Sequence, residues 1–231
     1  MAVGVTGPPE RARDWRALAP LLVAPPLLIG HWYLARPDPI ATWARTDSWL
    51  PLTGAPAPAA LSFLAAFVVL GIVPVVIGIA LGRRPAQIGL GPGRAREGMR
   101  WLAAGIPLGV MAGWIAAQTP SLTAVYPLGG APEPTVEAWL GYAGAYLLYY
   151  AGFEFFFRGF LLMGLEASLG SRTANLVQSA LAVAIHFGKP VMETIAAWPA
   201  SLVFGWLTLR TRSVWYAVVI HWIVGVSLAW F

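Results

Sequence analysis

The sequence predicts an all-α fold, a polytopic bundle of transmembrane helices, on three observations. Apolar residues make up 58% of the chain and charged residues 11%, with mean hydropathy +0.67, where soluble domains run at about 45–50% and about 25%. So few charges cannot give 231 residues a wetted surface, and disorder is excluded because its signature is the reverse composition. Seven apolar stretches reach or approach the roughly 20 residues that a helix needs to cross hydrocarbon. The basic residues gather at the ends of those stretches, as membrane anchoring requires.

The stretches run at roughly 17–35, 59–81, 99–118, 138–163, 174–188, 192–209 and 214–231. The first follows Arg11, Arg13 and Arg16, like the basic start of a signal peptide, but no small-x-small cleavage site follows its apolar core, so it reads as a retained span. Pro25 and Pro26 are expected to kink it. The segment 37–58, with Trp43, Trp49 and several prolines, is a candidate interfacial helix that would take the count from seven to eight. Residues 119–137 read as an exposed segment. The fifth and sixth stretches are short and joined by Gly188, Lys189 and Pro190. With no internal repeat and no linker, residues 1–231 read as a single integral membrane domain.

Loop charges orient the chain. Arg11, Arg13, Arg16, Arg83, Arg84, Arg94, Arg96, Arg100, Arg172, Arg210 and Arg212 fall on one side, and only Arg36, Arg45 and Lys189 on the other. The positive-inside rule then puts the N-terminus in the cytoplasm. No basic run with interleaved aromatics is present, so the formal charge of +5 speaks for the lipid bilayer as partner and not for nucleic acid. The absence of Cys removes thiolate metal sites and cysteine nucleophiles.

The residues that do not belong in hydrocarbon carry the functional reading. A charge at the centre of a span costs at least about 2.5–3.5 kcal/mol, so it normally has a partner or a task. Glu154, Arg158, His186 and His221 lie within predicted spans, with Lys189 and Glu193 at a span junction. Glu154 and Arg158 are four apart on one helix face, where they can neutralise each other. His31, beside Trp32 and Tyr33, reads as part of an interfacial aromatic belt. A helical rise of 1.5 Å per residue puts Glu154 and His221 about 10 Å, and His186 about 18 Å, from the inner surface. These three are expected to face one inward-side cavity. A carboxylate and imidazoles around a wet pocket can deprotonate water, directly or through a bound divalent metal. Glu154, His186 and His221 are the candidate ligands, and such donors suit zinc without demanding it. The patterns H-E-x-x-H and G-x-S-x-G are absent.

At these residues the chain resembles the CPBP family of intramembrane proteases, which includes type II CAAX prenyl endopeptidases and bacteriocin-processing or bacteriocin-immunity proteins. The family pattern is E-E-x-x-x-R, then F-x-x-x-H, then H-x-x-x-N on successive helices. Phe153-Glu154-Phe155-Phe156-Phe157-Arg158-Gly159 stands over the first, Ala182-Val183-Ala184-Ile185-His186 over the second and His221-Trp222-Ile223-Val224-Gly225 over the third, within a core of about 136–231. Bacterial members reading E-F-F-F-R-G and then H-F-G-K-P-x-x-E look similar, the second run being His186 to Glu193 here. The resemblance implies a membrane-embedded endopeptidase of the bacterial plasma membrane, acting on a membrane-associated peptide or protein of CAAX or leader type. Water would be activated by Glu154 with His186 and His221, and Arg158 would hold Glu154. The chain departs at Phe153, where the family has its first Glu, at Ala182 and at Gly225. Either Glu154 or Glu193 is then the candidate for the missing carboxylate. The alternative is a catalytically inactive relative that works by binding, in peptide immunity or as a scaffold. A proton-relaying transporter is weaker, because no repeat architecture is visible.

Overall fold

A computed structural model describes residues 15–43 and 57–231, and every regular element among them is helical. Arg11, Arg13, Arg45 and Trp49 lie outside the described residues. Helix α1 (Trp15–Leu34) runs through Pro20, Pro25 and Pro26, and the short α2 (Pro37–Trp43) follows it. Helix α3 (Ala57–Phe67) passes through a π-turn (Val68–Ile72) into α4 (Val73–Ala80). A 3-10 turn (Pro85–Ile88) leads to α5 (Ala95–Ala117) and α6 (Pro120–Thr123). Thr135 caps α7 (Val136–Glu154), its hydroxyl accepting the Ala138 N–H at 3.2 Å.

Helix α7 runs on into a nine-residue π-helix (Phe155–Met163) and then α8 (Gly164–Ala184). Gly170, with φ 74° and ψ 156°, breaks α8, at the expected boundary between the fourth and fifth apolar stretches. Only glycine takes that backbone without strain. Helix α9 (Val191–Thr211) starts behind Pro190 and ends at Arg212 in the left-handed region, and α10 (Trp215–Trp230) completes the chain. All seven apolar stretches are therefore helical. Two segments, Pro58–Ala80 and Ala95–Ala117, are long and apolar enough by themselves to cross a membrane, and Leu18–Leu34 and Trp215–Trp230 are shorter apolar helices.

Glycines set the closest approaches. Gly98, Gly105, Gly109 and Gly113 share one face of α5 and lie under Tyr216, Ile220, Ile223 and Ser227 of α10. A Cβ on Gly113 would stand 2.7 Å from the Val224 carbonyl oxygen, so the two helices meet at backbone range, as small-residue interfaces allow. Gly152 does the same between α7 and α3, where a Cβ would stand 2.9 Å from the Phe67 Cα.

The ends of the bundle differ in charge. At one end Arg83 donates to the Gly164 carbonyl at 2.8 Å and Arg94 to that of Arg210 at 3.1 Å. There Arg210 pairs with Glu97, and Arg212 with Glu166 at 2.6 Å. At the other end the loop after α6 folds back, with the Tyr142 hydroxyl donating to the Leu128 carbonyl at 3.2 Å, and Ser62 ties α3 to the Ala35 carbonyl at 2.7 Å. Trp32 of α1 lies against Gly188, 3.6 Å from where a Cβ would stand.

Candidate active site

The polar residues fall into two clusters, separated by an aromatic ring. The first is built on α7, where Glu154 is its last residue and Arg158 lies in the π-helix that follows. Both are fully buried, at 0% and 1% exposure. Arg158 Nε lies 3.1 Å from Glu154 Oε2, an ion-pair contact too poorly aligned to be a hydrogen bond. From α10, His221 Nδ1 donates to Glu154 Oε1 at 2.6 Å. A carboxylate accepts, so Nδ1 carries the proton. From α9, Ser201 Oγ accepts from Arg158 Nη2 at 3.2 Å. The guanidinium also lies 5.9 Å from the Phe153 ring centroid and 5.7 Å from those of Phe157 and Phe204, a cation–π setting that offsets part of its desolvation. The i,i+4 pair read from the sequence forms as expected.

The second cluster lies where α8 turns into α9. His186 Nδ1 donates to the Ala182 carbonyl at 2.6 Å, which leaves Nε2 as the ring's lone-pair nitrogen. That Nε2 stands 3.8 Å from Glu193 Oε1. Thr194 donates to the His186 carbonyl at 3.0 Å and so fixes the turn to the first turn of α9. Glu193 Oε1 accepts from Lys189 Nζ at 2.7 Å and from the Tyr126 hydroxyl at 2.8 Å, while Lys189 also donates to Tyr126 at 2.9 Å. The other oxygen, Glu193 Oε2, is buried without a partner. Burial raises the Tyr126 pKa, so its hydroxyl keeps its proton. Burial alone would lower that of Lys189, but its acidic neighbours outweigh it and hold the ammonium well above its ordinary value, with the Glu193 carboxylate at 2.7 Å as the charged partner.

Phe153 stands edge-to-face against both imidazoles, 6.1 Å from His186 and 5.5 Å from His221 between centroids. It corrects the expectation of one cavity shared by Glu154, His186 and His221. A cavity of about 690 Å³ is present, with His186, Phe153, Lys189, Tyr149, His31 and Arg36 in its walls, but neither Glu154 nor His221 lines it. Nor does it lie at the basic end of the bundle: its rim is formed by residues 36–38 and 124–131. The physical reason is volume, since the Phe153 phenyl ring packs against both imidazoles and fills the space beside them.

The metal set Glu154, His186 and His221 is likewise not gathered. Glu154 and His221 are bonded to each other, His186 faces Glu193, and among the described residues no group of three or more His, Cys, Asp or Glu is arranged to hold a metal ion. The donors do not fit a single ion as they stand.

Three side chains escaped the sequence reading. His31 is only 4% exposed, lies in the cavity wall 6.2 Å from the Tyr149 ring, and leaves Nδ1 without a partner. It is not the interfacial residue its neighbours Trp32 and Tyr33 suggested. Tyr126 came from a loop with no periodic signal. Tyr150 lies 4.5 Å from the His221 ring and places its hydroxyl where a side chain at Gly225 would be. Lys189, which the sequence places at a span junction, belongs to the Glu193 cluster, and its i,i+4 spacing from Glu193 was the available signal.

No curated protein and no solved structure matches the chain. Residues 135–227, which carry α7 to α9, most of α10, the Glu154 cluster and the Glu193 cluster except Tyr126, match the family model for Rce1-like type II CAAX prenyl endopeptidases, which supports the resemblance read from the three motifs.

Proposed function

We propose that the chain is a membrane-embedded endopeptidase in which Glu193 and His186 activate the attacking water. The observation that carries this is the gap between them. A lone-pair nitrogen stands 3.8 Å from a carboxylate whose second oxygen is buried and unpaired, beside a cavity of about 690 Å³. Ligand pockets run at about 300–1,000 Å³. Two acceptors at that separation can hold both hydrogens of one water and leave its oxygen lone pair free to attack a peptide carbonyl carbon. The proton released passes to the Glu193 carboxylate and then to the leaving amine nitrogen. Lys189 puts a positive charge beside the carbonyl oxygen as it gains negative charge.

Glu154, Arg158 and His221 have a different part in this reading. Glu154 and Arg158 are fully buried behind Phe153, and with the partly exposed His221 they hold α7, α9 and α10 in register; in this reading they take no proton from water. No step passes through a metal. The family match supports a membrane setting, in which the exposed Leu108, Met111 and Ile115 of α5 face lipid. Seven spans, a cytoplasmic N-terminus and a bacterial plasma membrane complete the proposal, with a membrane-associated peptide or protein as substrate.

One observation favours the binding-only alternative: Glu193 Oε1 already accepts two hydrogen bonds, which suits a structural carboxylate. Glu193→Gln separates the readings. The protease loses cleavage of a membrane-anchored reporter peptide when activity is measured per folded protein. Undiminished cleavage by Glu193→Gln would overturn the proposed role.

A further inference from the structure

Resting on that reading, we infer that the cavity opens on the non-cytoplasmic face of the membrane, and that the substrate is a membrane-associated polypeptide whose cut segment has been translocated. The structure gathers the basic residues at the end opposite the cavity. Arg94, Arg96, Arg100 and Arg210 meet around one surface hollow, Arg83 is bound to the Gly164 carbonyl beside them and Arg212 to Glu166. Arg84 and Arg172 belong to the same connections in the chain. At the cavity end the described basic residues are Arg36 and Lys189, each beside a carboxylate, Asp38 and Glu193.

An asymmetry of this size in short connections sets orientation, with the basic end in the cytoplasm. The cavity rim, residues 36–38 and 124–131, is then on the far side. Below the rim the walls run down to Tyr149 and Phe153 on α7, so access is along the bundle from that end. A protein tethered in the cytoplasm would have to pass its chain through the packed core around Phe156, Phe157 and Phe160, which are buried to within 2%. A translocated segment meets no such barrier.

The chain has no cysteine, which makes the test direct. Ala124→Cys and Ala131→Cys sit on the exposed rim, and Arg96→Cys on the exposed basic end. In spheroplasts of a bacterial expression host, a membrane-impermeant maleimide should label the two rim variants at once and Arg96→Cys only after permeabilisation. The opposite pattern overturns the inference, and so does a rim that stays unlabelled in detergent. Labelling does not depend on catalysis, so Glu193→Gln in each background should label identically. A protein that fails to cleave but labels as expected loses the proteolytic reading and keeps the orientation. A cut site mapped to a cytoplasmic segment, by comparing cells that express wild type and Glu193→Gln, overturns the substrate class.

Discussion

Tyr150 and Gly225 share one space: the tyrosine hydroxyl occupies the volume that a side chain at 225 would need. The same hydroxyl donates to Tyr146 at 3.0 Å, and its ring packs on His221. The polar residue missing from the third motif is thus replaced in space by a side chain from another helix. Restoring a motif-like residue with Gly225→Asn should destabilise the protein by about 1–3 kcal/mol through overpacking. Adding Tyr150→Ala should recover part of the loss, a non-additivity that thermal unfolding of the double variant measures directly.

The two carboxylates should respond differently to the same change. Glu193→Gln is expected to abolish cleavage and, because Lys189 and Glu193 keep 20% and 18% of their side chains exposed, to cost less stability than the change at Glu154. Glu154→Gln leaves a fully buried Arg158 without its counter-charge, and removing one member of a buried pair costs about 3–5 kcal/mol. Its unfolding temperature should fall, with activity lost only in proportion to folded protein. Normal stability with no turnover in Glu154→Gln would return the catalytic role to Glu154.

His186 and His221 belong to different clusters, so their alanine variants should not share a phenotype. His186→Ala is expected to stop cleavage while the bundle stays folded, and His221→Ala to loosen α10 against Glu154. Zinc measured in the detergent-purified protein gives a second reading. Near-stoichiometric metal lost together in both variants would mean that the clusters close around one ion.

Lys189 should matter through charge. Lys189→Met removes the ammonium that holds Glu193 and Tyr126, and both cleavage and stability are expected to drop. Because the folded pKa is raised, the stabilisation it gives is fully present below the unfolded lysine value and is lost only as pH rises through the folded one. Wild type should therefore show no alkaline loss of stability from this pair near neutral pH, and a pH series of melting curves checks it.

His31 offers a cavity wall an unpaired ring nitrogen. His31→Phe, which keeps the ring against Tyr149, should raise KM for a reporter peptide about tenfold with kcat nearly unchanged, the cost of one lost buried hydrogen bond. His31→Asn should restore it.

Hydropathy alone located the helices, because the apolar runs are long and their borders carry Gly, Pro or Arg. The Glu154–Arg158 pair was legible for a similar reason: both sit on one helix at a spacing that fixes their neighbourhood. What failed was the step from three helices to one pocket. Helical depth gives a height in the bundle and nothing about which way a side chain turns, and a phenylalanine at 153 reads as ordinary core until its ring is seen against both histidines. The ring's place in the motif was visible from the start. Its effect needed the packing.

Trp32 resting on Gly188 has a bearing on what counts as the working unit. Helix α1 is outside the stretch that matches the family, yet it supplies His31 and Trp32 to the cavity, and the bend after it supplies Arg36. Cut down to residues 135–227, the protein would keep the Glu154 cluster, lose Tyr126 from the Glu193 cluster and lose a side of the cavity. The matched region holds the buried ion pair and both imidazoles, and the unmatched helix walls in the space beside them.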